Sequence, residues 1–247
     1  MFAFSNHTAV ITGASSGIGK AIAIALAGEG AALCLVGRNL ETLERVAESA
    51  GIKAAQLLTY QADLATDKDI LNLAARLRHD VQSVDLLIHS AGSISIGPIE
   101  NTSVEDLDSQ YRVNVRAPYY LTQTLLPMLQ RRQGQIVFIN SRAGLSANAK
   151  ESQYSATKHG LKAIADSLRE EVNPYGVRVL SVFLGNTATP MQAAVHRMKD
   201  KLYRPELMVQ PEDVASVVVS MLSLPRTAEV TDIRIRPLIK PNSVETV

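Results

Sequence analysis

Apolar runs of strand length alternate with longer amphipathic stretches from one end of the chain to the other. No other feature constrains the fold as much. Short runs buried on both faces and separated by helices build a parallel sheet, because a parallel connection needs a crossover long enough to hold a helix. Strands are expected at residues 8–11, 32–36, 54–60, 85–89, 135–140, 177–183 and 233–235. The pattern predicts an α/β fold, one doubly wound domain over residues 1–247 with a seven-stranded, mostly parallel sheet. At 247 residues with 46% hydrophobic side chains, the chain is long enough to bury such a core.

Local signals mark several helix ends. Thr102 and Glu105 are spaced as a capping box, and Pro211, Glu212 and Asp213 suit a first turn. Two long helices are expected over residues 104–132 and 155–172, with apolar residues on more than one face, as in an oligomer. Arg131 and Arg132 close the first of these before Gly134, where cations complement the helix dipole. Residues 185–204 contain helix formers but little core pattern, as expected of a mobile flap over a site. Met191, Met198 and Met208 lie in or just beyond it, as ordinary packing or as an adaptable apolar lining.

Charge narrows the choice of partners. With 25 Lys+Arg against 24 Asp+Glu, the net charge of +1 gives no basic field for a nucleic acid or an anionic membrane. Cys34, the single cysteine, sits among Leu33, Leu35 and Val36 and reads as a buried thiol in a reducing compartment. Residues 1–7 lack the pattern of a signal peptide, and the longest apolar stretches are too short for a bilayer span. A soluble cytoplasmic protein is the expectation. The five histidines, of which only His89 lies near a strand end, have no metal-ligand spacing, and no metal is expected.

The first strand runs into Thr12-Gly13-Ala14-Ser15-Ser16-Gly17-Ile18-Gly19 and then an alanine-rich helix. Such a turn presents backbone N–H groups at the positive end of a helix, where phosphate binds. A phosphate-loop NTPase is excluded, because Ala14 stands where its first glycine belongs and Ala21 follows Lys20. Gly13-Ala14-Ser15-Ser16-Gly17 also fits a nucleophile elbow, but no earlier strand exists to supply the oxyanion donor. At the end of the second strand, where an NAD enzyme places a carboxylate, the chain reads Gly37-Arg38. Arg38, at the beginning of a helix, suggests an anionic ligand such as a ribose 2′-phosphate.

Tyr154 and Lys158 stand four apart at a helix start, so phenol and ammonium share one face. An adjacent cation favours phenolate. Ser141 ends a buried strand on the edge of the sheet that also holds the glycine turn. Phosphate turn, serine, tyrosine and lysine therefore converge on one crevice.

Together with Asp63-Leu64, Ala91-Gly92, Asn114 and Gly185 with Thr189, these motifs make the chain resemble the short-chain dehydrogenase/reductase family over essentially its whole length. The resemblance implies a Rossmann-type fold and a tetrad of Asn114, Ser141, Tyr154 and Lys158. In it Tyr154 exchanges the proton, Ser141 holds the substrate oxygen, Lys158 binds the nicotinamide ribose and lowers the tyrosine pKa, and Asn114 helps hold a relay water. It places cofactor contacts on Gly13, Ser15, Ser16, Gly17, Ile18, Gly19, Arg38, Asp63, Leu64, Ala91, Gly92, Tyr154, Lys158, Gly185, Thr187 and Thr189. Two departures stand out: His89-Ser90 replaces the family's paired asparagines, and Leu184 replaces its proline before Gly185. The implied activity is hydride transfer with NADP(H) between a small-molecule carbonyl and a secondary alcohol, in a homodimer or homotetramer. The alternative is a sensor or scaffold of the same fold that binds NADP(H) without turnover. The substrate itself is not legible.

Overall fold

In the computed structural model, which describes residues 3–51 and 56–239, seven strands form one sheet in the order β3-β2-β1-β4-β5-β6-β7. They are β1 (Thr8–Thr12), β2 (Ala32–Gly37), β3 (Leu57–Gln61), β4 (Leu86–His89), β5 (Gln135–Ser141), β6 (Arg178–Leu184) and β7 (Asp232–Ile235). All are parallel, not merely most of them. The predicted third strand started too early: Leu57 opens β3, and residues 54–55 lie outside the described residues. The helices are α1 (Gly17–Gly28), α2 (Leu40–Gly51), α3 (Asp67–Asp80), α4 (Val104–Tyr111), α5 (Ala117–Arg132), α6 (Ser152–Val172), α7 (Pro190–Met198) and α8 (Pro211–Leu222).

Alternation along each strand decides which layer it feeds. Ala9, Ile11, Leu33, Leu35, Leu86, Ile88, Val137 and Ile139 face the layer of α1 and α8, against Ile22, Leu26, Val214 and Val218. The intervening Val10, Cys34, Val36, Leu87, Ile136 and Phe138 face the layer of α3, α5 and α6, against Leu77, Leu121, Leu125, Leu161 and Ala165. Burying each large aliphatic side chain contributes roughly 1.5–3 kcal/mol, so continuous apolar strands between two helical layers are stable only in this arrangement. Cys34 is buried as expected, and burial pushes its thiol up to about 12. Among the described residues no helix is long and apolar enough to cross a membrane.

Three local expectations are corrected. The residue capping α4 is Ser103, whose Oγ accepts the Asp106 N–H at 3.1 Å. Thr102 is drawn back to the Ile99 carbonyl by the 3₁₀ turn Ile99–Asn101. Arg132 does more than complement a dipole, since its Nε donates to the Asp85 carboxylate at 2.7 Å. That buried carboxylate also accepts the Thr8 N–H at 2.9 Å, so α5 is tied to the start of β1. The long helix predicted over residues 104–132 is interrupted by a π-helical turn, Arg112–Arg116, between α4 and α5. Its widened ring is closed by the Ala117 N–H on the Arg112 carbonyl. Such one-turn bulges occur mostly inside otherwise regular helices and often at functional sites.

Because β4 is reached from β3 by crossing the sheet, the strand order reverses between β1 and β4. The crevice outside the C-terminal ends of these strands is where ligands of open α/β sheets bind.

Candidate active site

A cavity of about 870 Å³ occupies that crevice and runs from Gly37 and Arg38 at one end to Tyr154 and Lys199 at the other. The glycine turn forms its floor. Gly13 and Gly17 have left-handed backbones, with φ of 67° and 53°. A Cβ on Gly13 would lie 2.8 Å from the Ala91 backbone, and one on Gly19 would lie 2.4 Å from the Gly13 carbonyl oxygen, so the two loops touch only because side chains are missing. Thr12 locks the contact: its Oγ1 accepts the N–H groups of Ser90 and Ala91 at 3.1 and 3.2 Å. Ser16 precedes α1 without a side-chain cap, and the first turn holds no acid. The positive end of the helix thus faces the cavity with N–H donors that no capping side chain engages, which fits a pyrophosphate.

At the far end of β2, Gly37 and Arg38 line the cavity beside Ser15. Asn39 caps α2 through the Thr42 N–H at 2.9 Å, leaving Arg38 just ahead of the helix. The Arg38 side chain is exposed and makes no hydrogen bond or ion pair with the described residues, whereas its carbonyl accepts from Gln61 at 3.0 Å. Asp63 and Leu64 line the same end, where the Asp63 carboxylate accepts the Ala65 N–H at 3.0 Å and shapes the loop.

The chemical groups gather at the other end. Ser141 closes β5, and its Oγ accepts the Ala143 N–H at 3.1 Å. Tyr154 lies in the first turns of α6, and Lys158 one turn later places its Nζ 5.8 Å from the Tyr154 ring centroid. The Lys158 ammonium donates to the Ile139 carbonyl at 3.1 Å and is buried. Asn140 fixes both neighbours: its Nδ2 donates to the Lys158 carbonyl at 3.2 Å and its Oδ1 accepts the Ser141 N–H at 2.7 Å.

Burial raises the Tyr154 phenol to about 12, with the Ser141 hydrogen bond opposing and the Glu151 charge adding to the rise. Burial lowers Lys158 from 10.5 to about 8. Against burial, the group that lowers the tyrosine pKa is Ser141, while the Lys158 ammonium is bonded to the Ile139 carbonyl. The phenol is therefore protonated at neutral pH and able to donate.

Asn114 sits in the π-helical turn, fully buried. Its Oδ1 accepts the Ser93 N–H at 2.8 Å, and its Nδ2 donates to the Ser93 carbonyl at 2.8 Å and to Thr157 Oγ1 at 3.1 Å. Both hydrogens of the amide are thus engaged, and the side chain ties the loop after β4 to α6.

Gly185 follows β6 and donates to the Ile235 carbonyl at 2.8 Å, while Thr187 Oγ1 donates back to the Gly185 carbonyl at 3.1 Å. Thr189 caps α7 through the Gln192 N–H at 3.2 Å, and a Cβ on Gly17 would meet its Cγ2 at 3.1 Å. Of the three methionines only Met191 lines the cavity; Met198 is exposed on the surface and Met208 is packed inside. His89 is buried away from the cavity, stacked on Phe138 and bonded to Thr122 at 2.8 Å, and desolvation lowers it to about 3.

Sequence reasoning gave no supporting role to Thr12, Ser93, Asn140 and Thr157, which hold the site together, and did not single out Arg142, Glu151 and Lys199, which add charge to its far end. Thr157 lies inside the Tyr154 to Lys158 spacing and Asn140 adjoins Ser141, so proximity alone could have drawn attention to both.

The geometry has known counterparts. Residues 7–200 match the family model of the short chain dehydrogenases. An uncharacterised oxidoreductase of Staphylococcus aureus (strain USA300) is 31% identical over 239 residues, covering 96% of this chain and all of that protein. An alcohol dehydrogenase from the archaeon Thermococcus sibiricus, complexed with 5-hydroxy-NADP, superposes with a TM-score of 0.85 at 26% identity, covering 95% of this chain and 98% of that one. A short chain dehydrogenase from Shigella flexneri complexed with NADP does so with a TM-score of 0.87 at 27% identity, covering 94% and 98%. With the sheet order, the glycine turn and the match over most of its length, the chain belongs to the short-chain dehydrogenase/reductase family of oxidoreductases.

Proposed function

We propose that this protein is an NADP(H)-dependent enzyme that interconverts a carbonyl and a secondary alcohol, with Ser141, Tyr154, Lys158 and Asn114 as its chemical centre. The observation that carries the reading is that Ser141, Tyr154 and Lys158 line the same cavity as the uncapped N-terminus of α1. The glycine turn, Ala91, Gly92, Thr187 and Thr189 would hold the dinucleotide, and Arg38 its 2′-phosphate, with Gly37 leaving room. When bound, the nicotinamide supplies or accepts the hydride. Ser141 holds the carbonyl oxygen by a hydrogen bond, and the Tyr154 hydroxyl donates its proton to that oxygen as negative charge develops there. Lys158 would bind the ribose hydroxyls, and Asn114 keeps the loop after β4 in register.

Residues 1–247 act as one domain in this reading, and residues 185–204, with α7 at their centre, form a flap over the substrate. Val104, Leu107, Tyr111 and Tyr119 are exposed along α4 and α5, which suits a face covered by a second copy in a dimer or tetramer. The lone buried cysteine suits a reducing, cytoplasmic setting. NADPH oxidation against a panel of aldehydes and ketones tests the enzyme reading. Tight NADPH binding with no turnover on any of them would instead favour a sensor or scaffold.

A further inference from the structure

We infer that the substrate carries an anionic group, a carboxylate close to the reacting carbonyl, held by Arg142 and Lys199. The inference rests on the catalytic reading above and names its substrate class. Arg142 directly follows Ser141, and Lys199 ends α7; both line the cavity together with Lys201. The single carboxylate at this end of the cavity is Glu151, three residues before Tyr154. Lys199 Nζ donates to Glu151 Oε1 at 2.7 Å, Asn148 donates to Oε2 at 3.1 Å, and an Arg142 nitrogen lies 3.8 Å from Oε2. Burial alone would raise the Glu151 carboxyl, but these partners bring it below its ordinary value, so it stays ionised at neutral pH. One negative charge thus faces two cations, Arg142 and Lys199, with Lys201 also on the cavity wall, so apart from Lys158 the site has a surplus of positive charge beside the reacting groups.

The cofactor's phosphates do not account for that surplus. They belong at the N-terminus of α1, where Thr189, at the start of α7, meets Gly17. The nine residues of α7 then carry the chain roughly 13 Å away, at about 1.5 Å per residue, before Lys199 is reached. A structural ion pair accounts for Lys199 alone and leaves Arg142, at 3.8 Å and half-exposed, without a good partner. A substrate carboxylate between Arg142 and Lys199 would satisfy both, with the fork of the arginine suited to two parallel bonds. Arg142 follows Ser141 and lines the same end of the cavity as Tyr154, which places the anion and the carbonyl in one short substrate. Short oxo acids fit this requirement better than long neutral ketones.

Two measurements at pH 7 test the inference. The deciding one is calorimetric binding of butyrate and of butyramide, a pair alike in size, to the NADPH-loaded protein. Butyrate should bind at least tenfold more tightly than butyramide, and Arg142→Met and Lys199→Met should each bring that ratio below threefold. A ratio below threefold in the wild type, or one that survives both substitutions, overturns the inference. The second is turnover of 3-oxobutanoate and 4-oxopentanoate against their methyl esters, where the acids should have the higher kcat/KM, mainly through KM. Esters reduced as well as acids would count against the inference and leave the enzyme reading intact. Failure of every ketone would remove the enzyme reading, while the butyrate pair would still decide whether the anion site exists.

Discussion

Asn114 and Ser93 are joined twice, N–H to Oδ1 and Nδ2 to carbonyl, each at 2.8 Å, so one side chain closes both backbone groups of a residue 21 positions away. The pairing is part-buried, and breaking it leaves two backbone polar groups without their partner. Asn114→Ala should lower the unfolding free energy by about 2–4 kcal/mol, from roughly 1–2 kcal/mol for each of the two part-buried groups left unpaired, the lower part of the range for unsatisfied groups. Urea denaturation measures it, and a loss under about 0.5 kcal/mol would show that the loop re-pairs elsewhere.

Tyr154→Phe keeps the ring and removes the hydroxyl that is hydrogen-bonded to Ser141. Turnover should fall by roughly 10²- to 10⁴-fold while NADPH affinity stays within a few-fold of the parent. Steady-state kinetics with any active carbonyl compound, together with a fluorescence titration of NADPH, separates the two effects. Turnover within threefold of the parent would remove Tyr154 from the proposed proton transfer.

On the proposed reading, Gly37 is expected to govern the choice of nicotinamide cofactor. A Cβ there would stand 3.6 Å from Ser15 Oγ and 3.2 Å from the flexible tip of Leu43, so a side chain fits after a small shift of the leucine. Gly37→Asp would add a carboxylate where the 2′-phosphate belongs and should abolish or reverse a preference for NADPH of about ten- to a hundredfold, the equivalent of roughly 1.5–3 kcal/mol for a charge-assisted bond to Arg38. Equal binding of NADH and NADPH by the parent would show that Arg38 is only a solvated surface residue.

Lys158 should make stability depend on alkaline pH. With its pKa lowered from 10.5 to about 8 by burial, the unfolded chain binds more protons than the folded one between those values. Folding therefore gains stability as pH rises from about 8 to 10.5, as the cost of the buried ammonium is relieved. The unfolding free energy of the parent should rise over that range relative to Lys158→Met, with Tyr154 acting in the opposite sense above pH 10, where its raised pKa favours the folded state less as the solution becomes more basic. A difference that stays flat between pH 8 and 10 would mean that Lys158 is already solvated.

The layered architecture was readable because both-face burial leaves continuous apolar strands such as Ile136 to Ile139, and helices must then separate them. Helix ends were harder. Ser103 displaced Thr102 as the cap because the preceding 3₁₀ turn claims the Thr102 hydroxyl, a competition that spacing does not reveal. Ser141, Tyr154 and Lys158 were visible as residue types at strand ends and helical spacing. Their supports were not, since Ser93 acts through backbone groups that any non-proline residue carries, and the partners of Thr157 and Asn140 are set by tertiary placement. The joining of Glu151 to Lys199 depends on how far α7 extends from Thr189, which tertiary placement alone decides.

The wide turn at Arg112–Arg116 also makes this stretch of chain intolerant of shortening. Deleting one residue there would restore ordinary helical bonding and rotate everything downstream by about 100°. Leu121, Leu125, Met128 and Leu129, all buried on α5, would swing off the sheet together. Asn114 would leave Ser93 in the same movement. The extra residue is thus a shared register mark for core and site, and a one-residue deletion scan across α4 and α5 should find its deepest loss of folded protein at that turn.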